Sequence, residues 1–251
     1  MLSFNNDFIG YDSNKDANKF SGSDSENVYN INLQSKPDNW YYKNEPITYF
    51  YNEYGHRSKN LSEIDLDNYI LCLGCSHTEG IGNYERDTYA HQTAQLLNCD
   101  YYNMGIGGCG LDIMMHNLTT WMLKVEKLPK LIIWQWTAPF RYVTVKDTDT
   151  VEIRTHGLWN DEKEVVDFIA VGDRNKFFSS RAGLMKKYLN LLSKTKNIPI
   201  IQVSLQDKDA SDEIFYQRHD NARDGKHYGA LSNKTLSVLI ADKYNYELNN
   251  I

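Results

Sequence analysis

A serine in a glycine-bounded turn is the first candidate for chemistry in this 251-residue sequence. Ser76 lies in Gly74-Cys-Ser-His-Thr-Glu-Gly80, directly after the apolar run Tyr69–Leu73. A serine on a tight strand-to-helix turn can expose its hydroxyl while backbone N–H groups point nearby. The pattern Gly-x-Ser-x-Gly is not met, because Thr78 stands at the second glycine position. By itself the turn fits a nucleophile or, more commonly, a helix-capping serine.

A glycine-rich segment follows the next predicted strand. Asn103-Met-Gly-Ile-Gly-Gly-Cys-Gly110 comes directly after a short strand predicted at 100–104. Glycines let a backbone turn tightly and bring its N–H groups close to a ligand, so the segment can donate to an oxyanion. A tight turn without a ligand is the simpler alternative. The segment is not a dinucleotide-binding motif, because no acidic residue follows about 20 positions later at a strand end.

A carboxylate and an imidazole lie close together ahead of the last predicted helix. Asp224 and His227 are three residues apart in the sequence. At that spacing the carboxylate can hydrogen-bond Nδ1 across one turn and leave Nε2 free to act as a base. A turn-capping aspartate beside an exposed histidine is the alternative. His77, next to Ser76, is expected to point elsewhere.

These three segments occur together in the order known from one enzyme family. From about residue 68 to 245 the sequence resembles the SGNH (GDSL-type) hydrolases. Gly74-Cys75-Ser76 is similar to the family's Gly-Asp-Ser block, and Asp224 and His227 match its Asp-x-x-His block. Gly108 matches the second-block glycine when Asn103 is aligned with the Asn that usually precedes it. The resemblance implies an α/β fold, a three-layer α/β/α sandwich with a mostly parallel, flavodoxin-like sheet.

The resemblance also implies a serine-hydrolase mechanism without a cofactor. Ser76 would attack an ester carbonyl, and His227 would take its proton and return it to the leaving alcohol. Asp224 would orient His227. The backbone N–H groups of Ser76 and Gly108 would bind the oxyanion of the tetrahedral intermediate.

The sequence departs from the family pattern in two places. Cys75 replaces the aspartate of the first block, and the third block, Gly-x-Asn-Asp, is absent. The third-block strand ends instead in Trp134-Gln-Trp-Thr-Ala-Pro-Phe-Arg141. Gln135 or Thr137 is expected to supply the third oxyanion donor. Trp136 and Arg141 are expected to contact the substrate, Arg141 through an anionic group, although a surface ion pair would also explain the arginine.

The expected function is removal of a small acyl group through a Ser76 acyl-enzyme, with an O-acetylated carbohydrate as the candidate substrate. Two alternatives stay open. The missing third block and Cys75 are also compatible with an SGNH-fold protein of weak or no catalysis that binds glycans or serves as a structural module. An O-acyltransferase is the other alternative, since a sugar hydroxyl can intercept the same acyl-enzyme.

Regular elements that could position these residues begin near residue 68. Apolar runs predict buried strands at 68–73, 100–104, 131–136 and 198–205. Helices are predicted at 88–97, 179–194 and 231–244, and a further helix capped by Asp112 extends to about Val125. Alternating strands and helices predict a parallel sheet that is covered on both faces.

Two segments lie outside this pattern. Residues 1–65 are predicted to form an N-terminal extension that packs on the hydrolase-like domain 66–251, with the aromatic stretch 40–57 as an edge strand or an extended arm. Residues of about 142–177 are predicted to be an insertion, a hairpin around Asp147 that could act as a lid on the substrate side.

Composition and charge exclude several functions. The formal charge of −6 and the lack of a basic run argue against nucleic-acid partners. No apolar run approaches the roughly 20 residues that span a bilayer, so no membrane partner is expected. Cys72-x-x-Cys75 lacks a second pair or a nearby histidine, which argues against a metal site. Four free cysteines without a recognisable signal sequence predict a cytoplasmic protein.

Overall fold

The structure is a computed structural model that describes residues 2–12, 18–146, 152–205 and 213–249. Its strands are β1 (Leu2–Asn5), β2 (Phe8–Tyr11), β3 (Tyr69–Gly74), β4 (Asp100–Gly105), β5 (Leu131–Gln135), β6 (Tyr142–Lys146), β7 (Glu152–His156), β8 (Ile200–Ser204) and β9 (Glu213–Phe215). Its α-helices are α1 (Glu26–Ser35), α2 (Ser76–Glu79), α3 (Tyr89–Leu96), α4 (Leu111–Lys124), α5 (Lys163–Arg174), α6 (Phe177–Lys196) and α7 (Ala230–Leu248).

The central sheet is parallel and has the strand order β4-β3-β5-β8-β9. Every residue of β3 and β5 is buried. Alternate side chains of β3 point to opposite faces, because Leu71 and Leu73 belong to one apolar cluster whereas Ile70 and Cys72 belong to another. A strand that is buried on both faces needs a layer of helices on each side.

Helices supply both of those layers. Trp121 of α4 and Leu189 of α6 pack in the cluster on one face, and Ala90 of α3 and Ile240 of α7 pack in the cluster on the other. The three-layer α/β/α architecture expected from the sequence is therefore confirmed. None of the helices within the described residues is long and apolar enough to cross a membrane.

A second, antiparallel sheet joins the N-terminal strands to the inserted hairpin. Its strand order is β2-β1-β7-β6, and Leu2 of β1 pairs with Ile153 of β7. The hairpin strands β6 and β7 lie where the sequence predicted them, while the turn around Asp147 lies outside the described residues. The extension and the insertion, which are far apart in sequence, thus share one sheet.

One local expectation was wrong. Helix α4 begins at Leu111 with Gly110 as its N-cap, so Asp112 does not cap it; the Asp112 carboxylate instead forms an ion pair with Arg181. Of the two alternatives for the aromatic stretch 40–57, the structure shows the extended arm, and in the described residues its β-type contact is the isolated bridge between Tyr49 and Asn18.

Among the elements that the sequence patterns missed, β1, β2 and α1 carry little apolar periodicity, whereas helix α5 was missed although it is strongly amphipathic. Strands β1 and β2 are four residues long, and helix α1 has no buried residue. A helix that buries nothing shows no stripe at i, i+3 and i+4, which is the signal on which sequence prediction depends.

The N-terminal arm is anchored by aromatic rings. Tyr42, Tyr49 and Tyr51 are buried with Ile47 against Ile81, in the segment that follows α2. The rings make the arm part of the core next to the end of β3, because each removes a large apolar surface from water. The arm therefore runs beside the edge where the strands of the parallel sheet end.

A buried ion pair connects the N-terminal extension to the segment that precedes α7. Arg223 donates to the Asp24 carboxylate through Nε (2.9 Å) and Nη2 (2.6 Å), and the two side chains are 2% and 0% exposed. The Tyr49 hydroxyl donates to Asp24 as well, at 2.5 Å. Two charges out of water are tolerated only when paired and fully hydrogen-bonded, so these contacts depend on one another.

Removing the charge of Asp24 should strongly destabilise the fold. Asp24→Asn leaves the buried Arg223 guanidinium uncompensated, and we expect the free energy of unfolding to fall by about 3–5 kcal/mol. Asp38→Asn is the matched control, since Asp38 pairs with Lys43 on the exposed surface and should contribute less than about 1 kcal/mol. Urea unfolding of both variants measures the difference, and equal losses would contradict the role of the buried pair.

Candidate active site

Ser76 is the first residue of α2 and sits on a sharp turn after β3. A Cβ at Gly74 would lie 1.9 Å from Thr78 Oγ1, so only glycine fits at that point of the turn. Gln135 at the end of β5 holds the turn in place, because its Oε1 accepts hydrogen bonds from Cys75 N and Thr78 Oγ1, each at 3.2 Å. The backbone around Ser76 is thus held by the neighbouring strand.

Ser76, His227 and Asp224 are joined by two short hydrogen bonds. Ser76 Oγ lies 2.7 Å from His227 Nε2, and His227 Nδ1 lies 2.6 Å from Asp224 Oδ2. The backbone N–H groups of Lys226 and His227 donate to Asp224 Oδ1, both at 3.0 Å. An ionised carboxylate can only accept, so the ring proton is on Nδ1 and Nε2 accepts from the Ser76 hydroxyl. The structure brings these three sequence-predicted residues together.

The Asp224 carboxylate is kept ionised by its hydrogen bonds. Burial alone would raise its pKa, but the hydrogen bonds from the His227 ring, the His227 backbone N–H and the Ser23 hydroxyl hold the pKa of Asp224 well below its usual range. Ser23 Oγ donates to Asp224 Oδ2 at 2.6 Å and lies 3.4 Å from His227 Nδ1. Ser23, a residue of the N-terminal extension, therefore contacts both Asp224 and His227.

The glycine-rich segment after β4 runs beside Ser76. A Cβ at Gly107 would lie 3.9 Å from Ser76 Cβ. Gly108 has φ +73°, in the left-handed region that favours glycine. Asn103 links this segment to the serine turn, since its Nδ2 donates to Thr78 O (2.8 Å) and its Oδ1 accepts from Gly105 N (2.9 Å). In the described part of the chain no hydrogen bond uses the backbone N–H of Ser76 or Gly108.

A buried carboxylate fixes the position of the glycine segment. Glu79 Oε2 accepts from Gly107 N at 2.6 Å and from the Tyr11 hydroxyl at 3.1 Å, and Glu79 Oε1 accepts from the Tyr51 hydroxyl at 2.6 Å. Burial raises the pKa of Glu79, against the lowering effect of these donors. Both tyrosines come from the N-terminal extension, so the extension reaches the glycine segment as well as Asp224.

The side chains predicted as third oxyanion donors are already used inside the protein. Gln135 is fully buried, and its Nε2 donates to the Trp136 carbonyl. The Thr137 hydroxyl donates to Cys109 O at 3.0 Å and accepts from Arg141 Nη1 at 2.7 Å. The single proton of the Thr137 hydroxyl and one of the two Nε2 protons of Gln135 are thus used within the protein, and a third oxyanion donor from either residue stays a prediction. In the structure Gln135 holds the serine turn, and Thr137 holds the end of the glycine segment.

A cleft of about 480 Å³ opens beside Ser76. His227 lines it, together with Trp136 and Arg141, the two residues expected to contact substrate. The Trp136 ring is fixed by a hydrogen bond from its Nε1 to Gln202 Oε1 at 3.1 Å. The strand ends therefore bring the predicted substrate-binding side chains to the same cavity as the serine.

His77 lies in the wall of this cleft, contrary to expectation. Its ring centroid is 4.8 Å from that of His227 and 4.7 Å from that of Tyr228, and its Nδ1 is buried without a partner. Burial, followed by the charge of His227, lowers the pKa of His77 to about 3. The ring is therefore neutral near pH 7 and adds no positive charge beside His227.

Within the described residues, no group of three or more His, Cys, Asp or Glu side chains is arranged to hold a metal ion. All four cysteines are free. Cys72 faces the apolar cluster under α3 and α7, and Cys75 lies in the serine turn with its thiol 3.2 Å from Gln135 Oε1. Cys72 and Cys75 therefore serve as packing residues in this fold.

Comparisons with known proteins find similarity among solved structures. No family model and no curated protein matches the sequence. A carbohydrate esterase family 2 enzyme with a carbohydrate-binding domain from Corynascus thermopiles (Myceliophthora fergusii) is 16% identical, with a TM-score of 0.46, and the match covers 72% of this chain and 67% of that chain.

Two lipolytic proteins of the G-D-S-L family are also similar in structure. The protein from Desulfitobacterium hafniense is 10% identical with a TM-score of 0.36, covering 70% of this chain and 98% of that chain. The protein from Veillonella parvula is 14% identical with a TM-score of 0.36, covering 68% and 94%.

Acid should destabilise the wild-type protein relative to a His77→Phe variant. The unfolded chain binds a proton at His77 below about pH 6.5, whereas the folded protein does so only near pH 3, so stability is lost as the pH falls. Between pH 6.5 and 5.0 the wild type should lose about 2 kcal/mol more than the variant. Urea unfolding of both proteins at the two pH values measures this, and parallel losses would show that His77 is not buried in its neutral form.

Proposed function

We propose that this protein is a serine-dependent ester hydrolase of the SGNH type, with Ser76 as its nucleophile. The observation that carries the proposal is the continuous hydrogen-bond chain from Ser76 Oγ through the His227 ring to the buried Asp224 carboxylate. An isolated serine is a weak nucleophile, and a base within hydrogen-bond reach activates it. The base here is oriented in turn by a third group, which is the arrangement that acyl transfer to a serine requires.

The hydrogen bonds define the direction of proton transfer. As Ser76 Oγ attacks the ester carbonyl, its proton moves to His227 Nε2, the nitrogen that already accepts from it. The resulting imidazolium is stabilised by the Asp224 carboxylate, whose low pKa keeps it charged. His227 then protonates the leaving alcohol. In the second half of the reaction it accepts a proton from water, which hydrolyses the acyl-enzyme.

The backbone N–H groups of Ser76 and Gly108 are the donors proposed for the oxyanion. They lie on two adjoining segments, the serine turn and the glycine segment. Glu79 fixes the glycine segment through Gly107 N, and Thr137 fixes it through Cys109 O. Fixed donors stabilise a developing charge without reorganisation during the reaction, and the loss of one typically lowers the rate about 10²- to 10³-fold.

The proposed substrate is an ester with a small acyl group, and an O-acetylated carbohydrate is our candidate. The cleft of about 480 Å³ beside Ser76 has both a flat aromatic ring, Trp136, and a cation, Arg141, in its wall. Flat aromatic rings with a polar edge suit the mixed apolar and polar faces of sugars.

Ser76→Ala should abolish esterase activity. Without Oγ no acyl-enzyme forms, and we expect kcat/KM for 4-nitrophenyl acetate to fall about 10⁴-fold or more. Release of 4-nitrophenolate by the purified protein measures it. A wild type that does not hydrolyse the ester, or a variant as active as the wild type, would contradict the proposal.

Ser23→Ala should slow the reaction without weakening substrate binding. The variant loses the hydroxyl that donates to Asp224, a bond to a charged group, and we expect kcat to fall about 10-fold while KM is unchanged. Ser23→Thr retains a hydroxyl and should recover most of the rate.

Ser25→Ala is the matched control for Ser23. Ser25 lies in the same segment and caps helix α1 through Val28 N, away from Asp224. It should lower the free energy of unfolding by about 1 kcal/mol and leave kcat unchanged. Equal kcat for Ser23→Ala and Ser25→Ala would show that Ser23 has no positioning role.

A further inference from the structure

Arg141 occupies a defined position in the wall of the cleft that contains Ser76. It follows β5 and lines the same cavity as Ser76 and His227. Its Nη1 donates to Thr137 Oγ1 at 2.7 Å, and its guanidinium carbon lies 5.0 Å from the ring centroid of Trp159 in the inserted region. Trp159 in turn borders Gly108, since a Cβ there would lie 3.4 Å from its ring. The cation is therefore next to the proposed oxyanion donors.

The described residues provide no counterion for the charge of Arg141. Among the residues that the structure describes, no carboxylate forms an ion pair with it, and its Nε is buried without a hydrogen-bond partner. Two other arginines show the contrast, because Arg181 pairs with Asp112 and Arg223 pairs with Asp24. A partly buried cation without a counterion is costly, and a bound anion would offset that cost.

The acidic side chains in and next to the cleft are engaged elsewhere. Glu213, which lines the cleft, lies 3.5 Å from Lys186 Nζ. Asp224, behind His227, accepts from His227 and Ser23. Among the described residues, the unmatched charge in this cavity is therefore positive, although the protein as a whole has a formal charge of −6.

Contacts within the protein restrain both the backbone and the side chain of Arg141. Its backbone N donates to Ala138 O at 3.1 Å, and its backbone O accepts from Arg181 Nη1 at 2.9 Å. Thr137 and the face of Trp159 restrain the guanidinium itself. A side chain that is already ordered loses little entropy on binding, and the planar fork of a guanidinium matches a carboxylate.

We infer that Arg141 forms a subsite for a carboxylate, and that the substrates of this site are esters carrying a carboxylate on the acyl or the alcohol part. The inference rests on the proposed esterase function and specifies its substrate class. The reaction is unchanged: water adds across the ester bond and gives an acid and an alcohol, while the second carboxylate stays intact and pairs with Arg141. An acetylated acidic sugar and a half-ester of a dicarboxylic acid both belong to this class.

Two pairs of esters test the inference and separate the acyl side from the alcohol side. Monoethyl succinate and ethyl butanoate differ by a carboxylate at the end of the acyl chain. The second pair, 4-acetoxybenzoate and 4-acetoxybenzamide, differs by a carboxylate on the leaving alcohol. For each pair, kcat/KM is measured by titration of the released acid, and the ratio of anionic to neutral substrate is compared between wild type and Arg141→Gln. The ratio cancels any loss of folded protein.

In at least one pair, Arg141→Gln should lower the ratio about 10- to 100-fold, the effect of losing hydrogen bonds to a charged group. Arg218→Gln is the control, because Arg218 lies near Tyr228 of the cleft but donates to Asn221 and Gly225. It should change both ratios less than twofold. A fall of less than fivefold in both pairs, or an equal fall with Arg218→Gln, overturns the carboxylate subsite while the esterase function stands.

If the wild type hydrolyses none of the four esters, the proposed function fails and binding decides the inference. Calorimetric titration of Ser76→Ala with 4-acetoxybenzoate and with monoethyl succinate is then compared with the Ser76→Ala/Arg141→Gln protein. Binding of either compound that weakens at least fivefold on loss of Arg141 supports the subsite. Absence of binding, or binding independent of Arg141, overturns it.

Discussion

The buried ion pair between Asp24 and Arg223 is the interaction on which the arrangement of this site depends. Arg223 directly precedes Asp224, so the contacts that fix Arg223 also fix the segment that carries Asp224 and His227. Asp24 directly follows Ser23, the residue that donates to Asp224. One desolvated pair thus sets both the position of the carboxylate and the position of its extra donor. Neither charge can return to water unless the N-terminal extension detaches from the domain. The geometry of the site and the stability of the extension are therefore coupled.

A second buried carboxylate extends this coupling to the other side of Ser76. Glu79, three residues after Ser76, accepts from Gly107 N and from the hydroxyls of Tyr11 and Tyr51. The parallel sheet delivers the ends of β3, β4 and β5 to one edge, which is where open α/β sheets bind ligands. Sheet geometry alone does not fix the distances between the side chains at those ends to a few tenths of an ångström. In this chain the N-terminal extension helps to fix them, because Ser23 donates to Asp224 and the two tyrosines donate to Glu79.

Much of the fold and part of the site could be predicted from the sequence, for identifiable reasons. The fully apolar runs that became β3 and β5 specify strands buried on both faces. Ser76 follows β3, and Asp224 and His227 directly precede the final helix α7. Ser23 was not predictable, because its partner lies 201 positions away and its surroundings form no local pattern. The contacts of Gln135 with the serine turn were not predictable either, because its position at a strand end suggested a donor for the oxyanion. Whether its amide faces the cleft or the turn depends on packing that the sequence does not record.

The central claim, that Ser76 is a nucleophile activated by His227 and Asp224, is tested most directly by covalent labelling. The native protein is treated with a fluorophosphonate, which phosphonylates activated serines, and the modified peptide is identified by mass spectrometry. The account predicts one adduct, on Ser76, and none after denaturation or in a His227→Ala variant. An unlabelled native protein, or an adduct on another residue with Ser76 unmodified, would contradict it.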